Sequence, residues 1–333
     1  MRSASIVRSE VDVRRVTFIA PRSWVRLKPD TTYARVHVVS GFSRTVVTAV
    51  LVIVAIAASP SCRRAPAPTR EVVAMSATTL PSDPGDAAWQ DVPEHVAALL
   101  LQDLVEPRLM KPSTKEVRVR ALANSSQIAF RLEWADGVAN DLPGAGRFPD
   151  GCAVQLPQKA DVNAPDPQMG QTGRPVEITY WRADWQATVN GRDDSIQALY
   201  PNATVDHYPF EARSLEKDSD AQRQMARRYA PADAVGNRRG GLRESAVEDL
   251  VAEGPGTLSP ASASTSRGRG MRTPTGWAVV ITRAMPDGLG PRARSQVAFA
   301  VWEGSAHESG SRKMRTGWVG LSLRGREAVG SGQ

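Results

Sequence analysis

The sequence predicts an all-β protein, an antiparallel β-sandwich of the immunoglobulin-like or carbohydrate-binding-module-like kind, with short helices and a long insertion. Apolar and polar residues alternate in two neighbouring segments, residues 116–122 and 127–134, with the period of a half-buried strand. Turns rich in Gly and Pro separate short segments of this kind, which is typical of sandwiches. The strand–helix–strand repeat of about 30 residues that marks a Rossmann-type domain does not occur in the sequence.

Each strand is predicted from its own local pattern. In the first pair, Val117 and Val119 share one face of a strand, and the apolar residues of 128–134 share one face of the next. Residues 124–126, Asn-Ser-Ser, form the turn between them. Further strands are predicted at residues 153–156, 176–181, 277–283, 296–302 and 316–321.

Residues 190–270 interrupt this rhythm with a charged sequence that is rich in Gly and Ser. We interpret them as an insertion on the sandwich and not as an independent domain. Within the insertion, residues 245–253 are the best candidate for a short helix, and residues 259–270 are predicted to form a flexible loop.

The N-terminus predicts export. Residues 46–58 are thirteen residues of Val, Ala, Leu and Ile with one Thr, which suits a signal-peptide core better than a membrane span of about 20 residues. We assign residues 1–62 to an export signal region with a possible misplaced start, residues 63–78 to a Pro/Ala tether and residues 79–325 to the sandwich domain. The alternative is that the apolar run is a buried strand or a short anchor. Cys62 stands where a bacterial lipoprotein is lipidated, so we expect a periplasmic protein, released or lipid-anchored at Cys62.

The positive charge of the chain belongs to that N-terminal segment. Residues 1–70 hold twelve of the 42 Lys and Arg and three of the 35 Asp and Glu, which leaves 30 basic and 32 acidic residues for the remainder. A nucleic-acid-binding body should have a basic surface of its own, so that class is excluded. Two cysteines exclude a disulfide framework and a Cys-rich metal site, and without a CxxCH motif any haem would be held non-covalently.

No catalytic residue is predicted. The four histidines His37, His95, His207 and His307 are scattered and form no metal-ligand pair. The sequence has no GxSxG or phosphate-binding context, and Cys152 is interpreted as a packed small residue at a strand start. We therefore expect a protein that is not an enzyme by itself.

Two loops are unusual. One places Met169 between prolines and a glycine just before a strand, and the other places Lys313 beside Met314 ahead of Trp318. By residue type alone, Met169 is an ordinary loop residue and Lys313 a solvated charge. A thioether is, however, a soft ligand for haem iron, and a lysine amine can ligate iron once burial and the metal lower its pKa.

In these surroundings the exported part resembles the haem-binding gamma subunits of periplasmic complex molybdenum enzymes, such as ethylbenzene dehydrogenase and dimethylsulfide dehydrogenase. The resemblance implies an antiparallel β-sandwich that binds one haem b through a methionine, here Met169, and a lysine, here Lys313. The insertion from residue 200 to 237 is similar to that of the longer members found with nitrate- and nitrite-type complexes. The matching stretches are residues 86–92, 115–136, 147–157, 169–186, 250–258, 276–283 and 296–318.

The resemblance also implies a function and partners. A molybdopterin catalytic subunit of the DMSO reductase family would perform the substrate chemistry, and an iron–sulfur subunit would exchange electrons with the haem of this chain. A soluble cytochrome or similar carrier would complete the path. The electron-transfer subunit itself would be non-catalytic.

Two other functions remain open from the residues. The same sandwich serves carbohydrate-binding modules, in which Trp181, Trp185, Trp277 and Trp302 could form a stacking platform for a sugar or another ligand. A stand-alone haem lipoprotein without molybdenum partners is the second alternative.

Overall fold

A computed structural model describes residues 68–161, 163–194, 196–202, 219–229, 243–290 and 293–324. The predicted export region 1–62 lies outside the described residues, together with His37 and Cys62 in that region. His207 also lies outside them. In the described ranges, no helix is both long and apolar enough to cross a membrane.

Strands dominate the described residues, and three short helices lie between β7 and β8. The helices are α1 (Ala183–Val189), α2 (Ile196–Leu199) and α3 (Asp220–Tyr229). The strands are β1 (Val72–Ser76), β2 (His95–Ala98), β3 (Leu100–Leu101), β4 (Glu116–Ala123), β5 (Gln127–Ala135), β6 (Gly151–Pro157), β7 (Val176–Arg182), β8 (Val247–Ala252), β9 (Ser259–Pro260), β10 (Arg267–Thr273), β11 (Gly276–Ala284), β12 (Arg294–Trp302), β13 (Met314–Arg315) and β14 (Val319–Arg324).

These strands form two sheets joined through β12. The first sheet runs β10-β11-β5-β4-β1-β14-β12, and the second runs β12-β6-β7-β8-β9. The N-terminal half of β12 pairs with β14, and residues Ala298 to Trp302 pair with β6. All neighbours are antiparallel except β1, which is parallel to both β4 and β14. The predicted β-sandwich is confirmed, and the parallel β1 makes its first sheet mixed.

The core lies between the sheets because alternate residues of each strand point inward. On β5, the predicted apolar face is fully buried, with Phe130 edge-to-face against Phe299 of β12 at 6.2 Å between ring centroids. Trp134 of β5 meets Trp181 of β7 in the same way at 6.3 Å. Burial of such a side chain contributes about 1.5–3 kcal/mol, so this interface is the main source of stability.

The second sheet is apolar on both faces. Val154 of β6 and Phe299 of β12 belong to the core between the sheets. Their neighbours Ala153 and Ala300, with Trp302, belong to a separate apolar cluster on the outer face. Because the outer face of a sandwich normally meets water and is polar, this second apolar face needs another explanation.

Three segments were predicted wrongly, and each of them contains a strand. β1 falls within the expected tether 63–78, where Val72, Val73 and Ala74 are buried. Within the predicted helix 245–253, residues 247–252 form strand β8 instead, because every residue of β8 pairs with β7 and this pairing overrides the local pattern. The expected loop 259–270 contains β9 and most of β10, so the insertion in the strand order is shorter than 190–270.

The glycines that suggested a loop in β10 have a packing reason. A Cβ on Gly270 would lie 2.2 Å from Cζ2 of Trp181, and one on Gly268 would lie 2.2 Å from Cγ1 of Val247. The strand therefore passes directly over these side chains, and only glycine permits that approach. The backbone N–H of Gly270 donates to Oε1 of Gln186, at 2.7 Å.

Candidate functional site

A cavity of about 480 Å³ lies on the outer apolar face of the second sheet, within the volume range of about 300–1,000 Å³ typical of ligand sites. Its floor, defined here as Ala153, Ala298 and Ala300, consists of small side chains from β6 and β12. Aromatic and aliphatic side chains form the walls. They include Ile178, Tyr180, Leu250, Leu258 and Trp302.

Met169 lines this cavity and packs against the outer apolar cluster. Its φ of 72° is in the left-handed region, which costs a non-glycine residue about 1 kcal/mol or more. The carbonyl of Met169 accepts a hydrogen bond from Gly254 N at 2.8 Å, which holds this conformation. Gly170, at φ 82°, follows because a Cβ there would lie 2.8 Å from the carbonyl oxygen of Ala252.

Lys313 lines the same cavity from the loop between β12 and β13. The backbone N–H of Gln102 donates to the Lys313 carbonyl at 3.1 Å, and Gln102 Nε2 donates to the Ser311 carbonyl at 3.1 Å. Trp302 Nε1 donates to the Gly310 carbonyl at 3.0 Å. The segment that leads into Lys313 is therefore held by the Trp302 and Gln102 side chains, which border the cavity, and the Lys313 carbonyl is held by the Gln102 backbone.

The register at Lys313 separates it from the adjacent methionine. Met314 is buried in the core between the sheets, whereas Lys313 faces the cavity. Side chains alternate between the two sides of an extended segment, so Met314 cannot face the cavity when its neighbour Lys313 does. Met314 is not available to the cavity as a second ligand.

The environment of Lys313 favours its neutral amine. Burial, with a smaller contribution from the positive charge of Arg315, lowers the pKa of Lys313 to about 8. Roughly a tenth of the amine would then be unprotonated at pH 7, against well under a thousandth for a lysine in water. Nζ lies 5.0 Å from the ring centroid of Trp302, a cation–π contact that partly stabilises the charged form.

Two arginines also line the cavity. Arg182 is engaged by Asp184 through two hydrogen bonds of 2.9 and 2.7 Å. Arg315 makes a long hydrogen bond of 3.4 Å to the Thr316 carbonyl, and its Nε is buried without a hydrogen-bond partner. The sequence analysis assigned no site role to Arg315 or Tyr180. The one sequence signal for their position is that each alternates with a core residue, Arg315 with Met314 on β13 and Tyr180 with Trp181 on β7.

The other residues singled out in the sequence lie away from the cavity. Cys152 is buried in the core, where burial raises the pKa of its thiol. His307 is exposed and stacks on Phe148 at 5.1 Å. His95 is buried and has Nδ1 2.8 Å from the Thr69 carbonyl, so it is a structural residue.

The sugar-binding platform is not formed. The four tryptophans proposed for it are buried, with exposures of 0% for Trp181, 2% for Trp185, 6% for Trp277 and 7% for Trp302. The face of Trp185 is covered by the guanidinium of Arg243, 3.8 Å from the ring centroid. A stacking platform requires accessible ring faces, so this alternative was wrong for these residues.

Three carboxyl groups meet at one end of the sandwich, outside the cavity lining. Asp136, Asp150 and Glu303 each offer an oxygen within 4.8 Å of the others. Burial, and to a lesser extent the nearby Asp136, raises the pKa of Asp150 to about 7, although Asn140 N, Gly304 N and Trp277 Nε1 donate to it. Arg272 compensates part of this charge at 3.5 Å from Asp136.

Comparison with known proteins identifies relatives over most of the chain. A family model described as ethylbenzene dehydrogenase matches residues 86–314. A respiratory nitrate reductase heme subunit of Haloferax mediterranei is 25% identical over 276 residues, covering 80% of this chain and 78% of that protein. Chlorate reductase subunit gamma of Ideonella dechloratans is 24% identical over 243 residues, covering 71% and 76% of the two chains.

Among solved structures, a family 9 carbohydrate-binding module of Caldicellulosiruptor kristjanssonii in complex with cellotriose is similar in overall architecture. The TM-score is 0.38 at 8% identity, covering 79% of this chain and 97% of the module. A similarity of this size supports no assignment of ligand. The family match, in contrast, includes both Met169 and Lys313 and ends one residue before Arg315. The chain belongs to the ethylbenzene dehydrogenase family, and the gamma-subunit resemblance drawn from its sequence is confirmed.

Proposed function

We propose that this protein is a non-catalytic electron-transfer subunit that binds one b-type haem without a covalent bond, with Met169 and Lys313 as the axial ligands. One observation supports this most strongly. Met169 and Lys313 are far apart in the sequence, and the fold brings both to the same apolar cavity. Two relatives named as a heme subunit and a gamma subunit of reductases are in agreement.

The residues of the cavity fit a haem. The alanine floor provides a flat apolar surface, and the aromatic rings of Tyr180 and Trp302 border it. A thioether and a lysine amine of lowered pKa are both neutral donors suited to iron. The absence of a CxxCH motif in the sequence is consistent with a non-covalent b-type cofactor.

The chain itself would do three things for such a cofactor, whose own chemistry is the transfer of one electron at a time. Met169 and Lys313 would occupy both axial positions, which leaves no position for oxygen or a substrate. The alanine floor and apolar walls would exclude water and so limit the rearrangement of solvent during transfer. Lys313 would release the proton on Nζ when it ligates.

The proposed partners are those that the gamma-subunit resemblance implies. A molybdopterin subunit of the DMSO reductase family and an iron–sulfur subunit would supply or accept electrons, and a soluble cytochrome or similar carrier would be the other terminus. We place the protein in the periplasm, with Cys62 as a membrane anchor if it is lipidated. The names of the relatives support a subunit of a reductase complex.

The first test is cofactor identity and stoichiometry. The full chain, produced with haem available, should contain one haem per chain, and its pyridine haemochrome should be of b type. Isolation of the tagged full chain from its native source should also recover molybdenum and iron–sulfur clusters in stoichiometric amounts. A folded protein that takes up no haem would refute the proposed cofactor, and a haem protein recovered alone would refute the proposed partners.

A further inference from the structure

We propose that Arg315 binds a propionate carboxylate of the cofactor, an inference that rests on the function proposed above. The cavity presents three cationic side chains, Arg182, Lys313 and Arg315. Arg182 is already neutralised by Asp184, and Lys313 is the proposed iron ligand. Arg315 is left as the cation available for an anionic group of the ligand.

Within the described part of the chain, the guanidinium of Arg315 has no anionic partner: no carboxylate there lies within 4.0 Å of it, and its buried Nε makes no hydrogen bond. Other half-buried arginines are paired, for example Arg131 with Glu133 at 2.7 Å and Arg120 with Glu94 at 3.0 Å. A buried donor that is left unsatisfied is costly, and a charge more so, unless a ligand completes the site.

The position of Arg315 also suits a propionate. Lys313 and Arg315 face the cavity, and the intervening Met314 faces the core. In an extended segment, two residues on one face are about 7 Å apart along the chain. One short segment therefore presents an amine and a guanidinium to the same cavity, so it would contact both the iron and an anionic substituent of one ligand.

Glu106 also borders the cavity, but its carboxylate does not pair with Arg315. Its side chain is 73% exposed and is paired with Arg108 at 2.8 Å. The cavity therefore has a net positive interior at Arg315 that matches an anionic substituent on an otherwise apolar ligand. Arginine can hold such a carboxylate through two parallel hydrogen bonds, whereas lysine offers a single point charge.

The test compares haem with haem dimethyl ester, in which the propionates are uncharged. Each is titrated into the full-length apoprotein, and the dissociation constant is measured from the Soret band. The wild type should bind haem at least about tenfold more tightly than the ester, the usual effect of a charge-assisted hydrogen bond. R315Q should weaken haem binding by about that factor and leave ester binding unchanged, and R315K should recover part of the loss.

The matched control is R294Q, because Arg294 is 80% exposed and does not line the cavity. It should bind both ligands as the wild type does, and circular dichroism should show all variants folded. Two results would overturn the proposal: R315Q binds haem as tightly as the wild type, or R315Q weakens the binding of haem and ester equally, as loss of a purely structural residue would. A wild type without a Soret band for either ligand would instead refute the proposed function itself.

Discussion

Replacement of Ala300 by Leu tests directly whether the second sheet has a binding cavity on its outer face. Ala300 belongs to the alanine floor of a cavity of about 480 Å³. The three added carbon atoms have room, and they remove apolar surface from water at about 0.8 kcal/mol each, an upper bound near 2 kcal/mol of stabilisation. The apoprotein should thus keep or gain stability.

The same substitution in the core is a matched control. Ala121 on β4 is fully buried between Ala74 of β1 and Phe130 of β5. Leucine there should overpack the interior and lower the free energy of unfolding by about 1–3 kcal/mol. The two variants carry the same chemical change with opposite expected signs for stability.

The assay has two parts, denaturant unfolding of the apoproteins and Soret titration with haem. Ala300→Leu should retain stability and lose haem affinity by about a hundredfold or more, because overlap with a planar ligand cannot be relieved in a rigid floor. Ala121→Leu should lose stability and bind haem normally below its unfolding transition. Loss of stability in Ala300→Leu equal to that of Ala121→Leu, or unchanged haem affinity, would refute the reasoning.

Three further predictions concern the ligands and the fold. M169A should lose the low-spin spectrum or lower the reduction potential, and K313A should open a position that binds carbon monoxide. The control variants M110A and K115A, whose residues are exposed, should leave the haem spectrum unchanged. Unchanged spectra in both M169A and K313A would contradict the ligand assignment. Because the folded pKa of Lys313 is about 8 and ligation removes its proton, six-coordinate binding should strengthen about tenfold per pH unit up to pH 8 and level off above it; a Soret titration at several pH values would show this slope, which K313A should lack. In denaturant unfolding, G270A should lower the free energy of unfolding by about 1–3 kcal/mol, because its Cβ would overlap Trp181. The control G290A, with nothing within 4 Å of its Cβ, should have a free energy of unfolding within about 0.5 kcal/mol of the wild type. Equal effects of the two substitutions would contradict the packing of β10.

The sequence predicted the sandwich where local pattern and tertiary packing agree. Residues 128–134 alternate because one face of β5 enters the core. Residues 245–253 misled because their apolar residues are compatible with a helical period, and only pairing with β7 decides for a strand. In β10, Gly268 and Gly270 indicated a loop because sequence reasoning could not see the side chains of Val247 and Trp181 packed against them.

The candidate site likewise depends on tertiary packing that the local sequence does not show. By residue type alone Lys313 is a solvated charge, and only the fold reveals that Trp302, Gln102 and Arg315 surround it. The meeting of Met169 and Lys313 is a long-range property of the sheet order, which local sequence does not encode. No role was predicted for Arg315, because its significance depends on a buried Nε without a hydrogen-bond partner and not on a motif.

The central claim is that Met169 and Lys313 together saturate a haem in this cavity. The most direct measurement is the absorption spectrum of the haem-loaded full chain, oxidised, then reduced with dithionite, and then exposed to carbon monoxide. We predict sharp α and β bands on reduction and no further change with carbon monoxide, because both axial positions are filled. A protein without a Soret band, or one whose reduced spectrum shifts fully to a carbon monoxide complex, would contradict the account.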